Sequence, residues 1–457
     1  KKFPYPIAIN FGKALPADSS ANLVRQKVAE LSCDYFNSLK SGKRSLVYRF
    51  VETARKNWSK RCVSDNTGKK LNYGRTLISA MIVGEYIKKI AASGEKVGIV
   101  LPASVGAAIA NLAMTLGERI PVNLNFTMGP ESMKCAINKC GITNIITSRA
   151  FIEKTQIKFE NQNIIYLEDI LNTITAREKI SAFMKAKFLP IKFLAPKMRH
   201  RGDEPATVIF SSGSSGKPKG VCLSHHNIIS NIEAVRMVVM IRDYDNLCGV
   251  LPFFHSFGFN CGFWLPLITG VSVSYITNPL DGQSVGKSVR ENRSTILFAP
   301  PTFLLNYTRR ANKEDFASLR LVVAGAEKLK PQLADMFQEQ FGIRPIEGFG
   351  ATELSPVASL NIPDIEINGV FQVGTKEGSV GNPVPGVAAK IVNIENDQPV
   401  EAHKEGLLMV RGSNIMLGYL NDNDKTREVI KDEWYNTGDI AKIDDDGFIT
   451  ITDRLAR

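Results

Sequence analysis

The sequence predicts an α/β fold of two parallel-rich sheets packed with helices, followed by a small β-rich subdomain. Three observations carry that prediction. Short runs rich in Val and Ile recur, with helical patterns between many of them. The two longest uncharged stretches are punctuated, not continuous. After about residue 366 the texture changes to short strands set between Gly, Pro and Asp turns. Alternating strands and helices bury a parallel sheet on both faces, so its strands read as near-continuous apolar runs.

In chain order, residues 1–44 open with a strand-and-turn segment, "FPYPIAINFGKALP". One helix follows, "SSANLVRQKVAELSCDYFNSLK", with Ser20 as its N-cap. Residues 75–92 place Ile78, Met81, Ile82 and Tyr86 on one helical side. The strand candidates are "VGIVL" (97–101), "IPVNL" (120–124), "TNIITS" (143–148), "NIIYL" (163–167), "ATVIFS" (206–211), "CGVLPF" (248–253), "SVSYI" (272–276), "TILFA" (295–299) and "LRLVVAG" (319–325). Pro331 opens a helix over 331–341.

Residues 97–117 reach the ~20 residues that span a bilayer. Pro102, Ser104 and Asn111 interrupt them, and they parse as strand, turn and helix. Residues 246–280 are broken by Pro252, His255 and Pro266. Both stretches read as buried core. Beyond residue 366, "GSVGNPVPGVAAKIVNI", "GLLMVRG" and "GFITITD" supply short strands and few helices.

A length of 457 residues favours about three domains. With 57 basic and 45 acidic residues the net charge is +12, which suits anionic partners: nucleotide, acidic carrier protein, membrane lipid or nucleic acid. No aromatic–basic recognition motif accompanies the charge, so nucleic acid is not expected. The seven cysteines are scattered, with no C-x-x-C pair. That speaks against a disulfide framework or zinc site and for a reducing compartment. The start of the sequence lacks the apolar core of a signal peptide.

The segment "SSGSSGKPKG" (211–220) directly follows the apolar run "ATVIF". Gly213 and Gly216 let backbone N–H groups approach an anion. Ser211, Ser212, Ser214 and Ser215 add hydroxyl donors, and Lys217 and Lys219 add charge. It is not a Walker A loop: Lys217 is followed by Pro218, and the position five before Gly216 is Ser211. Taken alone, the segment fits a phosphate cradle and a solvated Ser/Gly linker equally well.

Further motifs follow in order: "LPFFHSFGF" (251–259), "VVAGAEKL" (322–329), "EGFGATE" (347–353), "GSVGNPVPG" (378–386), "WYNTGDI" (434–440) and "GFITITDRLAR" (447–457). Together with the Ser/Gly loop, this set resembles the adenylate-forming enzymes, the superfamily of acyl-CoA synthetases, luciferases and peptide-synthetase adenylation domains. The resemblance covers roughly residues 45–457.

It implies ATP and Mg²⁺ as cofactors and a carboxylic acid as substrate. The acid is converted to acyl-AMP and then transferred to a thiol. Residues Ser211 to Lys219 would hold the β- and γ-phosphates, Thr352 the α-phosphate, and Glu353 the Mg²⁺. Gly325, Ala326, Glu327, Phe349 and Gly350 would surround adenine. Asp439 and Arg454 would bind ribose. His255 would lie between acyl site and thiol approach, and Phe254, Phe257 and Trp264 would line an acyl pocket.

Read from residue type alone, each has a plainer alternative. Thr352 and Glu353 fit a helix N-terminus, Phe349 and the aromatic run fit core, Asp439 fits a turn, and His255 fits a satisfied core histidine. The family carries a small C-terminal domain with a lysine that assists adenylation. The sequence stops at "DRLAR", where that domain is expected to begin, so full activity is expected to be weak on this core.

Residues 1–44 resemble the end of a glycerophospholipid acyltransferase domain. The expected division is therefore an acyltransferase remnant (1–44), an adenylate-forming core (45–365) and a β-rich subdomain (366–457). That order resembles bacterial bifunctional enzymes that join a 2-acylglycerophosphoethanolamine acyltransferase to an acyl–acyl carrier protein synthetase. The resemblance implies a fatty acid, acyl carrier protein and a lysophospholipid as partners, at the cytoplasmic face of the bacterial inner membrane. Coenzyme A is the alternative thiol. An inactive nucleotide- or membrane-binding module is the alternative class, against which the intact Thr352, Glu353, Asp439 and Arg454 argue.

Residues 179–201, "KISAFMKAKFLPIKFLAPKMRHR", hold seven Lys/Arg and no acid, interleaved with Phe, Leu, Ile and Met. They fit a membrane-surface segment, a dock for an acidic carrier protein, or a solvated basic linker.

Overall fold

A computed structural model of the chain describes residues 7–40, 45–195, 202–211 and 218–455. A nine-stranded sheet forms its centre. In spatial order its strands are Asn382–Pro383, Val357–Leu360, Ile346–Gly350, Leu321–Ala324, Ile296–Ala299, Asn246–Gly249, Ser272–Tyr275, Arg61–Asp65 and Lys70–Asn72. From Ile346–Gly350 to Arg61–Asp65 every neighbour is parallel. In the four strands at the middle every residue is buried. Ile296–Ala299 and Leu321–Ala324 are accordingly apolar throughout instead of alternating, whereas Asn246 and Ser274 on the other two strands are buried polar residues bonded to each other.

A second sheet is all parallel, in the order Ile120–Asn123, Lys96–Ile99, Asn144–Thr147 and Asn163–Tyr166. The helix Val105–Leu116 follows its first strand and is capped by Ser104. Its first backbone N–H donates to Asp65 Oδ2 at 2.9 Å, which ties the two sheets together. Asn111, a polar residue in the middle of this apolar helix, exchanges amide hydrogen bonds with Asn123. Both are buried and satisfied by each other, so the polar interruption costs little. Among the described residues, no helix is long and apolar enough to cross a membrane.

All nine predicted strands are present, within a few residues at each end. The strand Arg61–Asp65 was not legible. Its sequence, "RCVSD", is polar, yet Ser64 and Asp65 are buried, with Ser64 Oγ 3.0 Å from Ser274 Oγ on the neighbouring strand.

Three antiparallel sheets complete the described residues, the smallest being the pair Ile365–Ile367 and Val370–Gln372. Pro205–Ser211 and Lys219–Ser224 form a hairpin joined on one side by Gly418–Tyr419. Val387–Val392, Gly406–Gly412, Trp434–Ile443, Ile430–Lys431 and Ile449–Arg454 make a five-stranded sheet. The β-rich texture after residue 366 therefore divides. Asn382–Pro383 extends the central sheet, Gly418–Tyr419 joins the hairpin, and the five-stranded sheet begins at Val387.

The helix Ala21–Ser38, with Ser20 as its N-cap, does not stand apart from this body. Ser32 Oγ accepts from Gly386 N at 3.0 Å, Asn37 Oδ1 accepts from Ser413 Oγ at 2.8 Å, and Asp34 pairs with Arg411 at 2.9 Å. Gly386, at φ 79°, brings its backbone against the Phe36 ring, where a Cβ would lie 2.5 Å away.

Candidate active site

Ligands of open parallel sheets bind beyond the carboxyl ends of the strands. Three of the predicted motifs emerge there: Pro252 to Phe257 follow Asn246–Gly249, Gly325 to Glu327 follow Leu321–Ala324, and Ala351 to Glu353 follow Ile346–Gly350, with Pro300 after Ile296–Ala299 beside them. Parallel pairing in register brings segments distant in sequence to one edge.

Ser211 and Lys219, the described residues at either end of the Ser/Gly segment, pair at the end of the hairpin. The segment joins two antiparallel strands and does not lead directly into a helix. Ser212, Gly213, Ser214, Ser215, Gly216 and Lys217 lie outside the described residues.

From the hairpin a line of contacts leads inward. Lys219 Nζ sits over the Tyr419 ring, 5.6 Å from its centroid. The Tyr419 hydroxyl donates to Glu353 Oε1 at 2.8 Å. The Glu353 carbonyl accepts from Met416 N at 2.8 Å, and the Leu354 carbonyl from Asn414 Nδ2 at 2.7 Å. Next to Glu353, Thr352 Oγ1 accepts from Ser256 Oγ at 3.4 Å, which reaches the aromatic segment. Lys219, Glu353, Thr352 and the neighbourhood of His255 are thus brought together. Tyr419 and Ser256, which make the links, were not singled out from the sequence, although Ser256 lies within the motif 251–259.

Thr352 and Glu353 do not begin a regular helix. They form one 3₁₀ turn, Thr352–Leu354, without a side-chain cap, so the helix-terminus reading fails. Gly350 makes the turn feasible: a Cβ there would lie 2.0 Å from the Pro356 carbonyl oxygen. Glu353 is buried.

Gly325 is confined less tightly. A Cβ there would lie 3.2 Å from the Phe257 ring. Ala326 adopts φ 70°, a left-handed conformation that is uncommon for alanine and concentrates at functional sites. The Glu327 carboxylate accepts from Thr302 N and Oγ1 at the start of the helix Pro301–Arg310. Its side chain is engaged there, and the backbone of 325–327 carries the edge. Phe349 is half-buried on the strand next door.

His255 is exposed within an otherwise buried run. Desolvation lowers its pKa below the ordinary imidazole value, which favours the neutral ring. Its ring lies 4.8 Å from that of Phe254, which is buried edge-on against Phe126. Phe257 is half-buried against Phe298. Trp264, expected at the acyl pocket, has no exposed surface and packs on Phe259 and Phe263. It belongs to the core. It closes the π-helix Gly258–Trp264, whose Asn260 donates to the Ser355 carbonyl at 2.6 Å.

Asp439 and Arg454 face each other on adjacent strands of the five-stranded sheet, Oδ1 to Nε 3.7 Å apart. The described contacts join them to each other and not to Thr352. Among the described residues, no group of three or more His, Cys, Asp and Glu could hold a metal ion. A single buried carboxylate beside a candidate phosphate loop still fits Mg²⁺, which is commonly held by one or two carboxylates plus substrate phosphates.

The sheet order and the motifs at its carboxyl edge define an AMP-binding enzyme. The model of that family, described as AMP-binding enzyme, matches residues 50–420, and the chain belongs to it. ATP and Mg²⁺ are the cofactors that come with membership. Among individual proteins, the chain is 34% identical over 259 residues to probable 4-coumarate–CoA ligase 3 of Dictyostelium discoideum, covering 55% of this chain and 45% of that protein. It is 29% identical over 393 residues to a long-chain-fatty-acid–CoA ligase of Salmonella typhimurium, covering 79% of this chain and 68% of that protein. The chain thus spans under half of the first relative and about two thirds of the second. Among solved structures, ATP-bound MatB from Rhodopseudomonas palustris matches with a TM-score of 0.74 at 22% identity, over 90% of this chain and 78% of that one. This last likeness speaks to the fold.

Proposed function

We propose that this chain is the activating core of an acid–thiol ligase for a long-chain fatty acid. A carboxylate is a poor acyl donor because its leaving group is oxide. In the proposed reaction a carboxylate oxygen attacks the α-phosphorus of ATP and pyrophosphate leaves. A thiolate then attacks the acyl carbon and AMP leaves. The protein's task is to place donors where charge develops.

In this reading Ser211 to Lys219 hold the departing phosphates, Thr352 donates to the α-phosphate, and Asp439 accepts from the ribose hydroxyls with Arg454 beside it. Gly325 to Glu327, Phe349 and Gly350 border adenine. Glu353 would hold Mg²⁺, which supplies positive charge against the phosphates when bound. His255 and Phe257 line the route to the acyl carbon, with Phe254 behind them. One observation carries the reading: the run of contacts from Lys219 through Tyr419 to Glu353 and Thr352.

The long-chain reading rests on the long-chain-fatty-acid–CoA ligases among the relatives. Each methylene buried in an apolar pocket contributes about 0.8 kcal/mol, enough to favour long acids. Titration with a non-hydrolysable palmitoyl-sulfamoyl adenosine tests the reading. We expect saturable binding that weakens as the acyl chain is shortened. No binding by protein with a native circular dichroism spectrum would defeat it.

The finer reading is that the thiol is the phosphopantetheine of acyl carrier protein. In the complete protein the acyl group would then pass to 2-acylglycerophosphoethanolamine, at the cytoplasmic face of the bacterial inner membrane. The acyltransferase-like residues 1–44 support it. Coenzyme A is the second reading, favoured by relatives that are named CoA ligases. ATP-dependent AMP release with acyl carrier protein or coenzyme A as sole acceptor separates the two.

A further inference from the structure

The helix Ala176–Phe188 is built the wrong way round for a helix that serves only the core. Its buried positions are two alanines, Ala182 and Ala186, through which it packs on the helix Tyr73–Ile87. Its large apolar residues face out. Ile180, Met184 and Phe188 are 64%, 51% and 65% exposed. Their spacing of four puts them in one row along the helix. At about 100° per residue, Met184 lies roughly 200° round from Ala182, directly away from the protein. The short turn Ile191–Phe193 that follows adds Phe193, also 65% exposed.

The helix is held firmly in this orientation. Thr175 and Glu178 form a capping box at its start. At its end the Arg55 guanidinium donates to the carbonyls of Lys185, Ala186 and Leu189. The apolar row is therefore presented by a fixed element. Exposed cations accompany it: Arg177, Lys179 and Lys185 on the helix and Lys192 beyond, while Lys187 turns its ammonium over the Trp58 ring, 4.5 Å from its centroid. Its only acid, Glu178, is engaged in the capping box.

We infer that this face is a docking surface for an anionic lipid bilayer, with Ile180, Met184, Phe188 and Phe193 entering the interface and the lysines meeting lipid phosphates. An apolar row flanked by cations matches the cross-section of a bilayer surface, apolar below and anionic above. The row stands proud on a convex helix, and a fluid interface closes around such a ridge without a preformed groove. An acidic carrier protein would match the lysines and leave the row uncovered. Residues 196–201, the rest of the basic stretch, lie outside the described residues and the inference does not use them. It is also independent of the proposed ligase reaction, because vesicle binding and acyl-adenylate binding are separate measurements.

The test is co-sedimentation of the full chain with vesicles of phosphatidylcholine alone or mixed with phosphatidylglycerol. We expect partition onto the anionic vesicles only, weakening as salt is raised. An I180S/M184S/F188S variant and a K179Q/K185Q/K192Q variant should each lose at least tenfold in partition. Both alter exposed side chains, so their melting temperatures should match the parent and acyl-adenylate binding should persist. Failure of the parent to bind anionic vesicles, or undiminished partition of the serine variant, would overturn the inference. So would binding to acyl carrier protein that is lost in both variants while vesicle binding is not.

Discussion

The Tyr419 hydroxyl donates to Glu353 Oε1 at 2.8 Å, between residues 66 apart in the chain. Tyr419 belongs to a two-residue strand that pairs with the hairpin beneath the Ser/Gly loop, and Glu353 follows a strand of the central sheet. One hydrogen bond thereby couples the candidate phosphate grip to the candidate metal ligand.

Replacing Tyr419 with Phe removes that donor and leaves a buried carboxylate oxygen short of a partner. Such a loss costs about 1–3 kcal/mol. We expect Y419F to lower the melting temperature modestly and to weaken ATP–pyrophosphate exchange by roughly tenfold, a factor that corresponds to 1.36 kcal/mol. A Mg²⁺ titration should show a raised requirement if Tyr419 positions Glu353. An unchanged requirement would leave the tyrosine a purely structural role.

Asp439 and Arg454 make the opposite case. Arg454 is 79% exposed and its Nε lies 3.7 Å from Asp439 Oδ1, so this contact by itself adds little to stability. We expect the affinity of D439A for AMP, measured by calorimetry, to fall at least tenfold, a larger effect than any shift in its melting temperature accounts for. A drop in melting temperature without a loss of AMP affinity would assign the aspartate to the fold.

His225 governs a pH effect. It begins the helix His225–Val239, is buried, and its Nδ1 accepts from Leu46 N at 3.3 Å. Desolvation, partly opposed by Glu204, pushes its pKa down to about 4. The unfolded chain takes up this proton near the ordinary value of about 6.5. Between those values the unfolded state binds more protons, so stability rises with pH. The contribution is complete above 6.5 and is lost as pH falls towards 4, about 3 kcal/mol in all. Urea unfolding at pH 7 and pH 5 should show the loss, and H225Q should flatten it.

Arg320 holds a buried carboxylate. Its Nε and Nη2 lie 2.9 and 2.6 Å from the two oxygens of Asp245, whose side chain has no exposure. Burial alone would raise the Asp245 pKa, but hydrogen bonds from Arg320, the Arg242 N–H and Thr295 outweigh it and hold it below the usual range. Removing one partner of such a pair costs about 3–5 kcal/mol. We expect R320A to lose stability on that scale at pH 7. Because the Asp245 pKa is depressed, the parent's stabilisation is present above the ordinary carboxylate range and fades as pH falls below it. The gap between parent and R320A should therefore narrow under acid.

The strands were legible because double-sided burial writes itself as Val and Ile runs, and the helix at 331–341 because Pro331 marks its start. Arg61–Asp65 was not, since its polar side chains are satisfied by strands far away in sequence. Trp264 was misread towards the acyl pocket. An aromatic run looks the same whether it lines a pocket or fills a core, and only packing separates the two.

By itself, the sequence determined the α/β class, the parallel runs and the order of the nucleotide-site motifs, because these depend on local composition and on residues adjacent in the chain. The tertiary structure alone decided that Lys219, Tyr419, Glu353, Thr352 and Ser256 form one line, that Asp439 meets Arg454, and that Ile180, Met184 and Phe188 face outward. Those relationships are set by sheet register and by which face of a helix finds a partner. Both are long-range choices, made by burying the most apolar surface at once, and no local stretch of residues encodes them.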